Sequence, residues 1–152
     1  MSETTFTPDA AQARDFRDAL GCFATGVTIV TVQSDHGPMG FTANSFASLS
    51  MDPPLVLWSP AKTSSRFEIF SQAKHYAIHI LAQDQTDLIK SFHRGGLGFE
   101  GMSYQHNAEG VPLIEGTLAR FDCAQHSTHE GGDHLIIVGR VLRCAMREGT
   151  PL

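Results

Sequence analysis

Charge is scarce in this sequence, and basic charge scarcer still. Of 152 residues 18% are Asp, Glu, Lys or Arg, and 11 Lys and Arg stand against 16 Asp and Glu for a formal net charge of -5. A chain so balanced has no general attraction to a phosphate backbone, which argues against nucleic acid as a partner. The low charge also predicts a surface that is unusually neutral or partly covered by a second subunit, and a homodimer is the simplest form of that. Cysteine is sparse as well. Cys22, Cys123 and Cys144 are far apart and form no CxxC pair, so no disulfide framework is expected and the thiols suit a reducing compartment. No apolar run approaches the ~18 residues of a membrane span. The opening MSETTFTPDAAQARDF lacks the basic and apolar regions of a secretory leader, so a soluble, cytoplasmic protein is expected. Neither GxxxxGK[ST] nor GxSxG occurs, which removes the P-loop and the nucleophile elbow as devices.

What is present is an ordinary apolar fraction of 41%, enough for one core, and the length allows one domain over residues 1–152 with residues 1–10 as a disordered leader. A helix is predicted where Ala13, Phe16, Ala19, Leu20 and Phe23 fall near one face, with Asp9 as its cap. GVTIVTVQ (26–33) and MGFTANSF (39–46) read as a hairpin about the turn SDHGP. Two prolines keep MDPP (51–54) out of any central strand, and PLVLWS (54–59) reads as a buried strand after it. A short helix is predicted from Thr63, a strand over HYAIHIL (75–81), and a helix over 83–93 with Leu88, Ile89 and Phe92 on one stripe. Residues 94–110 are rich in glycine and read as a long loop. TLARFDCAQH (117–126) and DHLIIVGRVLRC (133–144) read as a hairpin joined by STHEGG. Six or seven strands with short marginal helices predict a mainly β fold, a small closed or nearly closed barrel.

The densest polar run is Thr42-Ala43-Asn44-Ser45-Phe46-Ala47-Ser48-Leu49-Ser50. Alternation puts Thr42, Asn44 and Phe46 on one side and Ala43 and Ser45 on the other. Small polar side chains and free amides, released where the strand leaves the sheet at Asp52-Pro53-Pro54, can line a planar heterocycle; a polar edge strand accounts for the same residues. Lys62-Thr63-Ser64-Ser65-Arg66 at a predicted helix start outlines an anion site, and an ordinary Ser/Thr cap would look the same. Arg94 would add a phosphate contact or lie in solvent. His134, after Gly131-Gly132-Asp133, offers an imidazole donor to a ligand or sits exposed in a turn. Cys123, His126 and His129 lie three apart, but on a strand and turn they would share no face, so no metal site is expected.

In order and spacing, FRDALGCFATGVTIVT (16–31), GFTANSFASLSMDPPLV (40–56), the Ser64-Ser65 pair, HYAIHILAQDQTDL (75–88) and GDHLIIVGRV (132–141) resemble the flavin reductase-like proteins. These have the FMN-binding split-barrel fold, and the likeness is greatest to the small reductase components of two-component flavin monooxygenases. The resemblance implies a homodimer with flavin near the barrel ends at the subunit interface. It implies that Thr42 to Ser45 run along the isoalloxazine and ribityl chain, that Phe46, Ser48 and Leu49 complete that wall, that Lys62 to Ser65 lie at the phosphate, and that His134 stands on the nicotinamide side. The expected activity is hydride transfer from NADH or NADPH to FMN, or FAD, with reduced flavin passed to a partner monooxygenase; a flavin-binding electron carrier without a nicotinamide site is the alternative. This chain has Gly40-Phe41 where the family usually has glycine-methionine, and the family continues past the position of Pro151-Leu152 into a further strand carrying a Gly and a Tyr.

Overall fold

In a computed structural model that describes residues 2–93 and 97–152, helix α1 (Ala13–Gly21) precedes β1 (Thr28–Ser34) and β2 (Gly37–Ala43). Strands β3 (Ala47–Met51) and β4 (Pro54–Trp58), helix α2 (Phe67–Gln72), β5 (His75–Ile80), a 3-10 turn at Gln83–Gln85 and α3 (Thr86–Ser91) follow. The chain then forms β6 (Tyr104–His106), β7 (Pro112–Ile114), β8 (Ala119–Gly131) and β9 (His134–Met146). Seven strands make one antiparallel sheet in the order β2-β1-β5-β8-β9-β4-β3, and β6 and β7 pair separately.

The two edges of that sheet, β2 and β3, are joined by the three residues Asn44, Ser45 and Phe46. At roughly 3.5 Å per residue this link spans little more than ~14 Å, so the sheet must curl until its edges approach. They do not pair, and the result is a barrel with one open seam. Period-2 alternation then sorts side chains into a lumen and an outer face. Val30, Val32, Met39, Trp58, Tyr76, Ile78, Cys123 and Ile137 fill the lumen, with Phe70 of α2 packed among them. Phe41 meets Trp58 and Phe70 edge-on, at centroid distances of 5.6 and 5.3 Å. Outside, Ile29, Leu81, Phe92, Phe99 and Ile114 form a second cluster, while Val111 and Leu113 cover Ala77. Gly40 is required where these layers meet, because a Cβ there would stand 2.4 Å from the Phe92 ring.

Several expectations are corrected. The second strand ends at Ala43 instead of running to Phe46, so the chain leaves the sheet before Asn44 and not at Asp52-Pro53-Pro54. The alternation inferred for 42–46 therefore fails, and Ala43 and Phe46 pack against the same lumen cluster. The prolines do mark a break, between β3 and β4, and β3 is an exposed edge strand. STHEGG is no loop: β8 runs through it to Gly131 and turns into β9 on Gly132-Asp133, with Gly132 at φ +72 supplying the left-handed position. Helix α2 starts four residues later than predicted, at Phe67, and within 94–110 Tyr104–His106 are a strand. The apolar stripe of α1 is real but lies outside the core, with Phe16 44% and Leu20 59% exposed, and Phe23, expected on the same face, lies past the helix end and is 79% exposed.

Candidate functional site

The open seam is where the predicted residues meet. Ser45 Oγ accepts the Ser59 amide at 2.9 Å and donates to the Ser59 carbonyl at 3.2 Å, which ties the β2–β3 link to the end of β4. Immediately afterwards the chain pairs with the start of β9: the Leu135 amide donates to Pro60 O at 3.1 Å, Ala61 bridges His134, and the Lys62 amide donates to Asp133 O at 2.9 Å. Residues 44–46, 60–65 and 134 are thus one connected corner. Phe46 closes it from inside, stacked on Phe121 at 5.4 Å.

The corner is rich in donors without acceptors. The amides of Asn44, Ser45 and Phe46 have no acceptor among the described residues, nor do those of Thr63 and Ser65. Thr42 Oγ1 is buried and has no partner there, an arrangement that native structures rarely leave unfilled. Asn44 faces a cavity of about 570 Å³ lined also by Arg17, Leu20, Phe23 and Thr25. Leu20 and Phe23 are expected from the sequence only as a helical face, and Arg17 and Thr25 carry no signal: the periodicity of α1 marks an apolar stripe but cannot say which surface it faces.

Around 61–66 the turn is built from its own backbone. Ser64 N donates to Ala61 O and Phe67 N to Ser64 O, both at 3.1 Å, and Ser64 Oγ accepts the Arg66 amide at 3.2 Å. Thr63 and Ser65 are exposed. Lys62 is ion-paired with Glu130 of the β8–β9 hairpin, so its charge is shared and not free. Arg66 departs from its expected role. Its guanidinium points inward, donating to Gly40 O at 2.9 Å and Phe92 O at 3.0 Å over the Phe41 ring, where burial lowers its pKa.

His134 Nδ1 lies 2.7 Å from Asp133 Oδ1, a carboxyl held below its usual range by that hydrogen bond. His134 Nδ1–H donates to that carboxylate, which leaves Nε2 without a partner among the described residues on a side chain 44% exposed. Ser48 and Leu49 lie on the exposed edge strand, and Leu49 is 51% exposed; they join the site only through their strand. Arg94 lies outside the described residues. Among those described no group of three or more metal-ligating side chains occurs; His129 Nε2 instead meets Ser127 Oγ at 3.1 Å.

Residues 20–152 match the family described as flavin reductase like domain. The chain belongs to that family. It is 56% identical over 151 residues to FMN reductase (NADH) SmoA of Agrobacterium fabrum (strain C58), a match covering 99% of this chain and 87% of that protein. Among solved structures, a nitrilotriacetate monooxygenase component B homolog from Mycobacterium thermoresistibile superposes with a TM-score of 0.88 at 38% identity, covering 94% of this chain and 82% of that one. NADH:FAD oxidoreductase SgcE6 of Streptomyces globisporus C-1027, solved with NAD and FAD fragments, gives a TM-score of 0.84 at 34% identity over 94% of this chain and 87% of its own. The seven-stranded barrel with short helices is the fold of these flavin reductases.

For this flavin reductase-like chain the donor set fits a flavin. Unfilled amides at 44–46 suit the carbonyl and nitrogen edge of a planar ring, and the amides and hydroxyls at 63 and 65 suit a phosphate. Nothing here asks for a nucleophile. Cys123, the lumen thiol, has its pKa pushed up to about 12 by burial and is chemically silent.

Proposed function

We propose that the chain is an NAD(P)H-dependent flavin reductase that takes FMN, with FAD as the alternative flavin, and NADH as reductant. The observation that carries this reading is the joining of three groups in one hydrogen-bonded corner: the open amides of 44–46, the turn 62–65, and His134. A bound flavin would supply the hydride acceptor and a bound nicotinamide the hydride, so the protein's task is alignment and exclusion of water. Thr42 to Ser45 would hold the ring edge through backbone donors. Ser45 contributes by position, since its hydroxyl is spent on Ser59. Thr63 to Ser65 would hold the phosphate, with Lys62 as a cation tempered by Glu130. His134, its Nδ1 proton fixed by Asp133, would present Nε2 to the nicotinamide side.

The working unit in this reading is a homodimer. Phe16 and Leu20 on helix α1 and Phe23 just past its end are exposed, Leu20 and Phe23 border the Asn44 cavity, and a second copy laid there would cover them and wall the site. Reduced flavin would pass to a monooxygenase component, the assembly named for several relatives, among them the reductase subunit HsaB of Rhodococcus jostii. Three free cysteines suit a reducing compartment such as the cytoplasm.

The test is anaerobic stopped-flow with purified protein and excess FMN, followed by NADH or NADPH, with a protein-free control. Bleaching of the flavin band over many turnovers is expected. Flavin that binds and stays oxidised with both nicotinamides would overturn the reading in favour of an electron carrier.

A further inference from the structure

Arg66 ends the 61–66 turn of this corner, and the fold leaves it no acid among the described residues. Its Nη1 is instead spent on two main-chain carbonyls, Gly40 O on the free edge of β2 at 2.9 Å and Phe92 O at the C-terminal end of α3 at 3.0 Å. Its Cζ sits 4.6 Å from the Phe41 ring centre, and its Nε is buried without a partner. Phe41 points into the lumen cluster and Phe92 belongs to the outer one, so the side chain reaches across the open seam and pins both layers.

Its own main chain is the end of the 61–66 turn. On one side that turn is held by β9, through the Lys62 amide on Asp133 O; on the other, its last residue receives support from Ser64 Oγ on its amide and sends its side chain to β2 and α3. The turn is therefore stretched between two anchors. Remove the second and the turn is still tethered to His134 but loses its fixed distance from the 42–46 link.

Building on the flavin reading above, we propose that Arg66 is a positioning residue for flavin. It touches no phosphate and sets the separation between the phosphate-holding turn at 62–65 and the ring-holding link at 42–46. It acts through the flat face laid on Phe41 and the one Nη1 that bridges two carbonyls, not through its charge alone. Lysine cannot replace it, since an ammonium has no planar face to lay on Phe41 and is strongly hydrated where the guanidinium is not.

The test compares FMN with riboflavin, which has the same ring and ribityl chain but no phosphate. Dissociation constants are measured by fluorescence titration for the wild type, Arg66→Lys and Arg66→Met, on protein shown to be folded by circular dichroism. Both variants are expected to weaken FMN at least tenfold and riboflavin no more than about twofold, with KM for FMN rising in step. A general loss of structure would instead lower both affinities together. Arg66→Lys with wild-type FMN affinity would overturn the proposal, because charge alone would then suffice. Equal losses for the two flavins, or none, would overturn it too. If Arg66→Met fails to fold, the lysine variant decides by itself. A wild-type protein that binds neither flavin would instead refute the reductase reading on which the proposal stands.

Discussion

Two sides of the barrel are built on opposite rules. On the outer face of β1, β5 and β8, every buried polar side chain among the described residues has its partner inside the protein. His79 is fully buried, with Nδ1 donating to Ile29 O at 3.0 Å and Nε2 accepting the Ile114 amide at 3.1 Å, so a neutral imidazole is fixed in one tautomer. Thr31 Oγ1 donates to Pro112 O at 2.7 Å. Asp122, also fully buried, accepts from Arg120 Nε at 2.7 Å and from Arg143 Nη1 at 2.8 Å, and Arg143 makes two further bonds of 2.9 Å to Glu109. Together these clasp residues 107–114 onto the sheet. At the seam the rule is reversed: amides lack acceptors, Thr42 Oγ1 is orphaned, and large apolar side chains face outward. A region that completes itself is structural, and a region left incomplete is where something else binds. Substitutions on the first side should therefore cost stability without affecting flavin, and those on the second the reverse.

The largest expected effect is on the completed side. Asp122→Ala removes the fully buried carboxylate that Arg120 and Arg143 share; the bond to Arg120 alone, to a charged group on a side chain 23% exposed, is worth about 1.5–3 kcal/mol, and the bond to Arg143 is lost with it, so stability should drop steeply. Urea unfolding should show this drop, while the FMN dissociation constant of the remaining folded protein changes less than twofold. A loss in flavin affinity as large as the loss in stability would erase the distinction between the two sides.

The next effect depends on pH. Burial lowers the His79 pKa from 6.5 to about 4, with Arg120 nearby acting in the same direction. Folded, the ring is neutral down to about that pH; unfolded, it takes a proton near 6.5. Between those limits the unfolded chain binds more protons, so the contribution of His79 is complete above pH 6.5 and drains away as pH falls toward 4. At about 1.4 kcal/mol per unit, roughly 3 kcal/mol is at stake. His79→Gln, which keeps a donor and an acceptor but does not titrate, should flatten the stability curve between pH 7 and 5. An unchanged slope would assign the pH dependence to other groups.

How much of this was legible in advance follows from how local each signal is. Strands β1, β4, β5, β8 and β9, the break at Asp52-Pro53-Pro54, and the grouping of 42–46 with 62–65 and 134 were legible, because alternation, proline and the family likeness are carried by short stretches. The length of the β8–β9 hairpin was hidden, since Ser127 to Gly131 have turn-forming composition and become strand only by pairing with His134 to Val138. His79 looked like one more residue of an apolar strand, and its two partners come from residues 50 positions before it and 35 after it. Arg66 was expected to face a phosphate. Its carbonyl partners, each 26 residues away, are set by how the seam closes, which no local pattern encodes.

The smallest expected effect in free energy falls on the open side and separates the two regions from the opposite direction. Ser64 is a poor place to probe it, because Ser64 Oγ holds the Arg66 amide and its loss would disturb the turn itself. Ser65 is exposed, and its amide has no acceptor among the described residues. Ser65→Asp places a carboxylate where the proposed phosphate sits and leaves the core untouched. Repulsion of a dianion at that distance should weaken FMN by about tenfold or more, about 1.4 kcal/mol, with riboflavin nearly unaffected and Tm within about 2 °C of wild type. The effect should shrink as salt is raised, since an exposed charge pair is screened within ~10 Å at 0.1 M. If Tm falls while the ratio of FMN to riboflavin affinity stays fixed, the turn at 62–65 belongs with the clasp on the far side of the barrel, as a structural element that holds no phosphate.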